Sequence, residues 1–248
     1  MDFFDCNLSY GPDTMKGELP GCSDVGALRR RLDVAGIAGG FVYYAMDEPV
    51  QGNATLAGDI AGQSALYGVW SLLPSYTGEI PPPDKLPPLM GQYGIAALTI
   101  NPRANRYLPR ASVIGDYLEM ATERRIPVML NTGRGLSIED ADSIMREFRD
   151  LTAILTFANC WPSDRLLYPF LEAYPNLFVD MTYIQTAAWL PDAVYRYTAR
   201  RILFGSGFPE CYTGAHMMVI KHAMIEEDDK EYIAGINLRN IMGGARYD

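Results

Sequence analysis

The chain has 248 residues, close to the roughly 250 typical of one (β/α)8 barrel. Its 48% hydrophobic content suffices for a large core, and no flexible linker, charge block or low-complexity tract divides it. A formal net charge of −9 argues against nucleic acid or an anionic membrane as partner and serves solubility.

No run approaches the ~18 consecutive apolar residues of a membrane span. The start, MDFFDCNLSYG, has no basic region and no long apolar run, so no leader is expected. Cys6, Cys22, Cys160 and Cys211 show no C-x-x-C spacing and suit reduced thiols in a cytosol.

In chain order, residues 2–7 form a first strand that runs into a glycine-bearing loop. Ser23 caps a helix over 24–35 with its apolar face at Val25, Leu28, Leu32 and Ala35. Gly36 closes that helix. A second strand spans 40–45, followed by an Ala/Gly-rich helix near 53–62 and a third strand at 66–73. The Pro-rich loop 80–88 leads into a short helix ending near Tyr93, then a fourth strand at 96–100. A helix over 111–125 precedes the fifth strand, 127–130. Ser137, with Asp140 three residues on, starts the next helix. The sixth strand is 153–158, then a helix over 163–174; the seventh is 177–181, then a helix over 186–199. The eighth is Ile202-Leu203-Phe204, cut off by Gly205-Ser206-Gly207, with helices over 214–225 and 228–242 to finish.

Eight strands alternating with helices predict an α/β chain of one domain, a (β/α)8 TIM barrel. The rival is an open doubly wound sheet. That fold carries a G-x-G-x-x-G turn after its first strand, and Asn7-Leu8-Ser9-Tyr10-Gly11 does not supply one.

Barrel chemistry sits at the C-terminal strand ends. The first strand places Asp5, Asn7 and Ser9 there, the second Tyr43 and Tyr44, and the third Ser71. The fourth offers Asn101 with Arg103 and Arg106 beyond it, and the fifth Asn131, Thr132 and Arg134. The sixth offers Asn159 and Cys160, the seventh Asp180, Thr182 and Tyr183, and the eighth Ser206, Glu210 and Cys211. Asparagine ends four strands. Its taste for turn geometry explains one or two of these; four on one face suggest a neutral hydrogen-bonding ring.

With these residues placed, the chain resembles the amidohydrolase superfamily, in its amidohydrolase-related branch of metal-dependent hydrolases and decarboxylases. The family's D-x-H-x-H strand is matched by Asp5-Cys6-Asn7-Leu8-Ser9, and its fifth strand by Pro127 to Gly133. Its sixth is matched by Thr156-Phe157-Ala158-Asn159, and its Tyr-Pro-Asn turn by Tyr174-Pro175-Asn176 before Val179-Asp180. Its F-G-S-D-x-P ending is matched by Phe204-Gly205-Ser206-Gly207-Phe208-Pro209, and the Asn of its closing helix by Asn237. The resemblance implies a metal at the barrel mouth, yet every ligand position differs. Asn7 and Ser9 stand for two His, Asn131 for a third, Ala158 or Asn159 for a fourth, and Gly207 for the Asp.

Amide and hydroxyl oxygens are poor ligands for zinc-type ions. His216 and His222 are six apart, so they do not share a helix face, and both are read as surface or packing residues. No metal and no other cofactor is therefore expected. Four readings remain. In a metal-free enzyme, Arg103, Arg106 or Arg134 would hold a substrate carboxylate and Asp5, Asp180 or Glu210 would carry the proton. In a binding barrel without chemistry, the substrate-facing set Asn7, Ser9, Asn101, Asn131, Asn159 and Ser206 would recognise a polar small molecule. Cys6, Cys160 and Cys211 would serve a thiol or thiolate-zinc site. The Gly-Ser-Gly turn would take a phosphate. The aromatic residues Trp189, Tyr195 and Tyr197 offer a face for a homodimer.

Overall fold

The computed structural model describes residues 1–17, 20–46, 48–158, 163–184 and 188–248. Eight parallel strands follow one another around a barrel in sequence order. They are β1 (Phe3–Tyr10), β2 (Ile37–Tyr44), β3 (Leu66–Leu72), β4 (Ile95–Ile100), β5 (Val128–Asn131), β6 (Ala153–Thr156), β7 (Leu177–Asp180) and β8 (Ile202–Leu203). The ring closes on backbone groups: the Cys6 N–H donates to the Phe204 carbonyl at 2.9 Å, and the Ser9 N–H to the Phe208 carbonyl at 2.9 Å. The barrel expected from the alternation is thus the fold.

Two layers of apolar side chains explain why these runs become strands buried on both faces. Phe4, Cys6, Phe41, Val69, Ala97, Met129, Ile154 and Leu203 fill the barrel. Phe3, Leu8, Tyr10, Val42, Leu98, Leu130, Leu155 and Val179 face the helices. The helices are α1 (Val25–Ala35), α2 (Pro49–Asp59), α3 (Leu86–Tyr93), α4 (Ala111–Arg124), α5 (Ile138–Glu147), α6 (Ser163–Ala173), α7 (Trp189–Tyr197) and α8 (Thr213–His222). A final helical stretch joins α9 (Glu227–Glu231) through a π turn (Tyr232–Ile236) to α10 (Asn237–Gly244).

Several boundaries differ from the sequence expectation, each for a local reason. Asp24, not Ser23, caps α1, its Oδ1 accepting from the Ala27 N–H at 2.8 Å. The second helix starts early, at Pro49, because Glu48 accepts from the Val50 and Gln51 N–H groups and Pro suits a first helical position. Ser137 caps α5 as expected, accepting from the Asp140 N–H at 3.1 Å. The start of the expected 186–199 helix falls outside the described residues, and α7 begins at Trp189. Strand β1 runs three residues past Asn7 because the segment stays paired with β2 through Tyr10↔Tyr44.

Two side chains that tie the layers together carry no sequence signature. The Arg201 guanidinium donates to the carbonyls of Leu177 at 2.7 Å, Tyr174 at 2.6 Å and Leu171 at 3.3 Å. It thereby satisfies the open end of α6 and pins it to β7. The Asn237 amide donates to Ala199 and Ile202, both at 2.8 Å, and holds the tail against β8. Of the three aromatic residues suggested for a dimer face, Trp189 is buried and Tyr197 packs on Tyr168, leaving Tyr195 in solvent.

Candidate functional site

The barrel floor is set by an irregularity in β1. Its register against β2 shifts between Asp5 and Leu8. Phe4 and Cys6 lie in the inner layer, whereas Leu8 and Tyr10 lie in the outer one. A bulge of this kind re-aims the side chains beside it. Asn7 is thereby brought to the end of β7, where its Nδ2 donates to Asp180 Oδ2 at 2.9 Å and lies 3.0 Å from Thr182 Oγ1. Thr182 Oγ1 also donates to Asp180 Oδ2. Asp180 Oδ1 accepts from the Phe157 N–H at 3.2 Å, and Phe157 sits in the left-handed region at φ 57. Asp5 Oδ1 takes the N–H groups of Asn7 at 2.9 Å and Ser206 at 3.0 Å, while its Oδ2 is buried without a partner.

Both carboxyl groups are sealed from water, with Asp5 at 0% and Asp180 at 1% exposure. Burial disfavours the charged form. It pushes Asp5 up to about 6 and Asp180 up to about 7, against the opposing pull of their hydrogen bonds. His216 is buried behind this floor, its Nε2 2.5 Å from the Thr182 carbonyl, so the expectation of a packing residue holds for it; His222 is exposed.

Above the floor, at the strand ends, a cleft of about 240 Å³ is lined by Asp13, Ser71, Asn101, Asn105, Arg134 and Glu210, with Met46, Pro49 and Ala104. Asn131 builds one wall indirectly, its Oδ1 accepting from the Arg134 N–H at 3.1 Å and shaping the turn after β5. The Arg134 guanidinium lies 4.0 Å from the centre of the Tyr43 ring, a cation–π stack, and its Nε is buried without a partner. Asn101 Nδ2 donates to Ser71 Oγ at 3.2 Å, leaving Asn101 Oδ1 buried and unpaired. The Asn105 N–H bonds the Asn101 carbonyl at 3.0 Å, and Asn105 Oδ1 is likewise buried and unpaired. Burial raises the Glu210 pKa, with Arg134 acting the other way.

The predicted residues therefore divide. Asn101, Arg134 and Glu210 share the cleft. Asp5, Asn7 and Asp180 form the floor. Ser9 Oγ reaches the Phe208 carbonyl at 3.4 Å, and Ser206 Oγ accepts from the Phe208 N–H at 3.2 Å, so both serve the loop after β8. Arg103 is exposed with its stem against Gly135, away from the cleft lining. Asn159 and Cys160 lie outside the described residues. Cys6 is buried in the barrel, and burial pushes Cys211 up to about 11 and Cys6 up as well, which disfavours a thiolate in both. The Gly-Ser-Gly turn commits its Ser206 N–H to Asp5, which leaves that donor unavailable to a phosphate. Sequence reasoning missed Asn105 and Asp13, which stand in loops with no periodic signal.

A larger apolar cavity, about 560 Å³, opens between α2 and α3 beside Trp70, Leu86 and Tyr93. Its one lining amide, Asn53, already bonds the Ser71 backbone in both directions at 2.9 Å. The smaller cleft, by contrast, carries three buried polar atoms without partners, on Asn101, Asn105 and Arg134.

No family model matches the chain, and no curated protein matches it. Its fold is shared with TIM-barrel proteins among solved structures. One similar structure is an uncharacterised TIM-barrel protein from Bordetella bronchiseptica, with TM-score 0.75, 17% identity, and 98% of this chain and 99% of that one covered. Another is a proposed amidohydrolase from Staphylococcus aureus, with TM-score 0.73, 12% identity, and 98% and 100% covered. A third is a dihydroxybenzoic acid decarboxylase from Polaromonas sp. JS666 with bound manganese and the inhibitor 2-nitroresorcinol, with TM-score 0.72, 14% identity, and 98% and 97% covered.

The metal of that last structure prompts a test of the donor set here. Among the described residues no group of three or more His, Cys, Asp or Glu is placed to hold a metal ion. Asp180 spends both oxygens on N–H and O–H donors. Gly207, at φ 65, contributes no ligand, and a side chain there would run into the Thr182 methyl group. The residues present do not fit a zinc-type ion. Among the described residues, no helix is long and apolar enough to cross a membrane.

Proposed function

We propose that this barrel is an amidohydrolase-like protein that takes a small carboxylate-bearing molecule at its mouth and acts on it without a catalytic metal. The observation that carries the reading is Arg134, held over the Tyr43 ring with a buried Nε that has no hydrogen-bond partner among the described residues. A guanidinium so oriented matches a carboxylate with two parallel hydrogen bonds. A decarboxylase of an aromatic acid among the structural neighbours supports the same substrate class. Glu210 is the acid–base group of choice, because it lines the cleft, and burial raises its pKa from the ordinary carboxylate value while Arg134 favours its ionised form. In a hydrolysis it would take a proton from the attacking water and return it to the leaving oxygen. Asp5 and Asp180 hold the floor beneath.

The test is turnover of aryl carboxylates and lactones by chelator-treated protein. Activity that persists in chelator and falls more than about tenfold in Arg134→Lys, where the fork is lost but the charge kept, supports the proposal. Activity that appears only on adding zinc or manganese overturns it. The second reading, a binding barrel without chemistry, is favoured by the full hydrogen-bond commitment of Asp180; it predicts saturable carboxylate binding with no product.

A further inference from the structure

The cleft holds more than a carboxylate needs. Beside the unpaired Arg134 Nε it carries two unpaired buried acceptors, Asn101 Oδ1 and Asn105 Oδ1. Two carboxylates, Glu210 and Asp13, complete the lining. Asp13 is paired with Lys16 at 2.5 Å, so its charge is partly met, whereas Glu210 forms no ion pair among the described residues. In this lining the buried unpaired acceptors outnumber the one buried unpaired donor, and Glu210 adds negative charge near the lining's one cation.

A plain carboxylate would satisfy Arg134 and leave the other wall unmet. It would bring a second anion towards Glu210 and leave both amide oxygens without a donor. Asn101 turns its amide nitrogen to Ser71 Oγ and leaves its oxygen buried without a donor. Asn101 is itself only 6% exposed, and its neighbour Asn105 is held in the same turn by the bond between their backbones. The pairing that completes the cleft is a ligand with a carboxylate at one end and several N–H donors, carrying positive charge, at the other.

Resting on the carboxylate reading above, we propose that the ligand is a small amino carboxylate, a zwitterion whose carboxylate meets Arg134 and whose ammonium group meets Asn101 Oδ1, Asn105 Oδ1 and Glu210. An ammonium has three donors and no acceptor, which matches the three acceptors that share this lining. The volume of about 240 Å³ suits a molecule of this size.

The experiment is calorimetric titration of the full chain with alanine, β-alanine and 4-aminobutyrate, which move the ammonium one carbon at a time from the carboxylate. Propionate and butyrate are the matched controls. At least one amino acid is expected to bind about tenfold or more tighter than its control, the worth of one charge-assisted hydrogen bond. Asn105→Leu, which removes one acceptor of the ammonium subsite, is expected to shrink that difference several-fold. Equal binding of amino acid and control would overturn the ammonium subsite and leave the carboxylate reading standing. Hydroxy acids binding as well as the amino acids would overturn it too, since a neutral hydroxyl would then suffice. Binding of none of the probes would count against both readings.

Discussion

Asp180 and Asp5 are the residues whose surroundings differ most from water, and the consequence is a pH dependence of definite sign. Each carboxyl group is easier to keep neutral in the folded chain than in the unfolded one, with Asp180 near 7 and Asp5 near 6 against an ordinary 3.8. The folded state binds the extra protons, so the stabilisation is full below about pH 4 and is lost as pH rises through 6 to 7. Thermal melts between pH 5 and pH 8 should show a Tm falling by several degrees, given that about 1 kcal/mol moves Tm by roughly 2–4 °C at this chain length. A Tm that rises over that window would show that the floor is ionised. Gly207 supports a second expectation. Its left-handed backbone and the abutting Thr182 methyl mean that Gly207→Asp cannot recreate a metal ligand. Gly207→Asp is expected to lose about 1–3 kcal/mol in denaturant unfolding and to gain no zinc or manganese by elemental analysis.

Among the elements, the joint between α6 and β7 depends on one buried guanidinium. Arg201→Met would keep most of the packing volume but take the charged donor from three carbonyls, of which Tyr174 retains the Leu177 N–H. The expected cost is about 2–4 kcal/mol in urea unfolding, from roughly 1 kcal/mol or more for each acceptor left without its charged donor. An effect under 0.5 kcal/mol would mean that water replaces the guanidinium freely. Strands buried on both faces were legible as apolar runs, and α5 announced its own start through Ser137. The bulge in β1 was not legible, because FFDCNLSY is buried from end to end and its alternation of Asp5, Asn7 and Ser9 with Cys6, Leu8 and Tyr10 runs unbroken across the shift. That single shift decides that Asn7 meets Asp180. Arg201 reads in the sequence as one of two adjacent basic residues, and only the position of three chain ends around it gives it a role.

Taken whole, the molecule is a ring of eight staves whose count and order could be read from the alternation of runs and helices. The strand-end rule placed Asn101, Arg134 and Glu210 towards one face, and they do line one cleft. Arg103 obeyed the same rule and stands outside it, because a loop residue three positions past the end of β4 is aimed by the loop. Asn105 was invisible for the same reason in reverse.

The eighth stave is only two residues long, and the ring is sealed instead by the carbonyls of Phe204 and Phe208, in the loop that continues to Glu210. The seam of the wall and the lip of the cleft are thus one piece of chain. A guest gripping Glu210 would act as a clasp on the cylinder, so occupancy of the mouth and cohesion of the whole ring become one property.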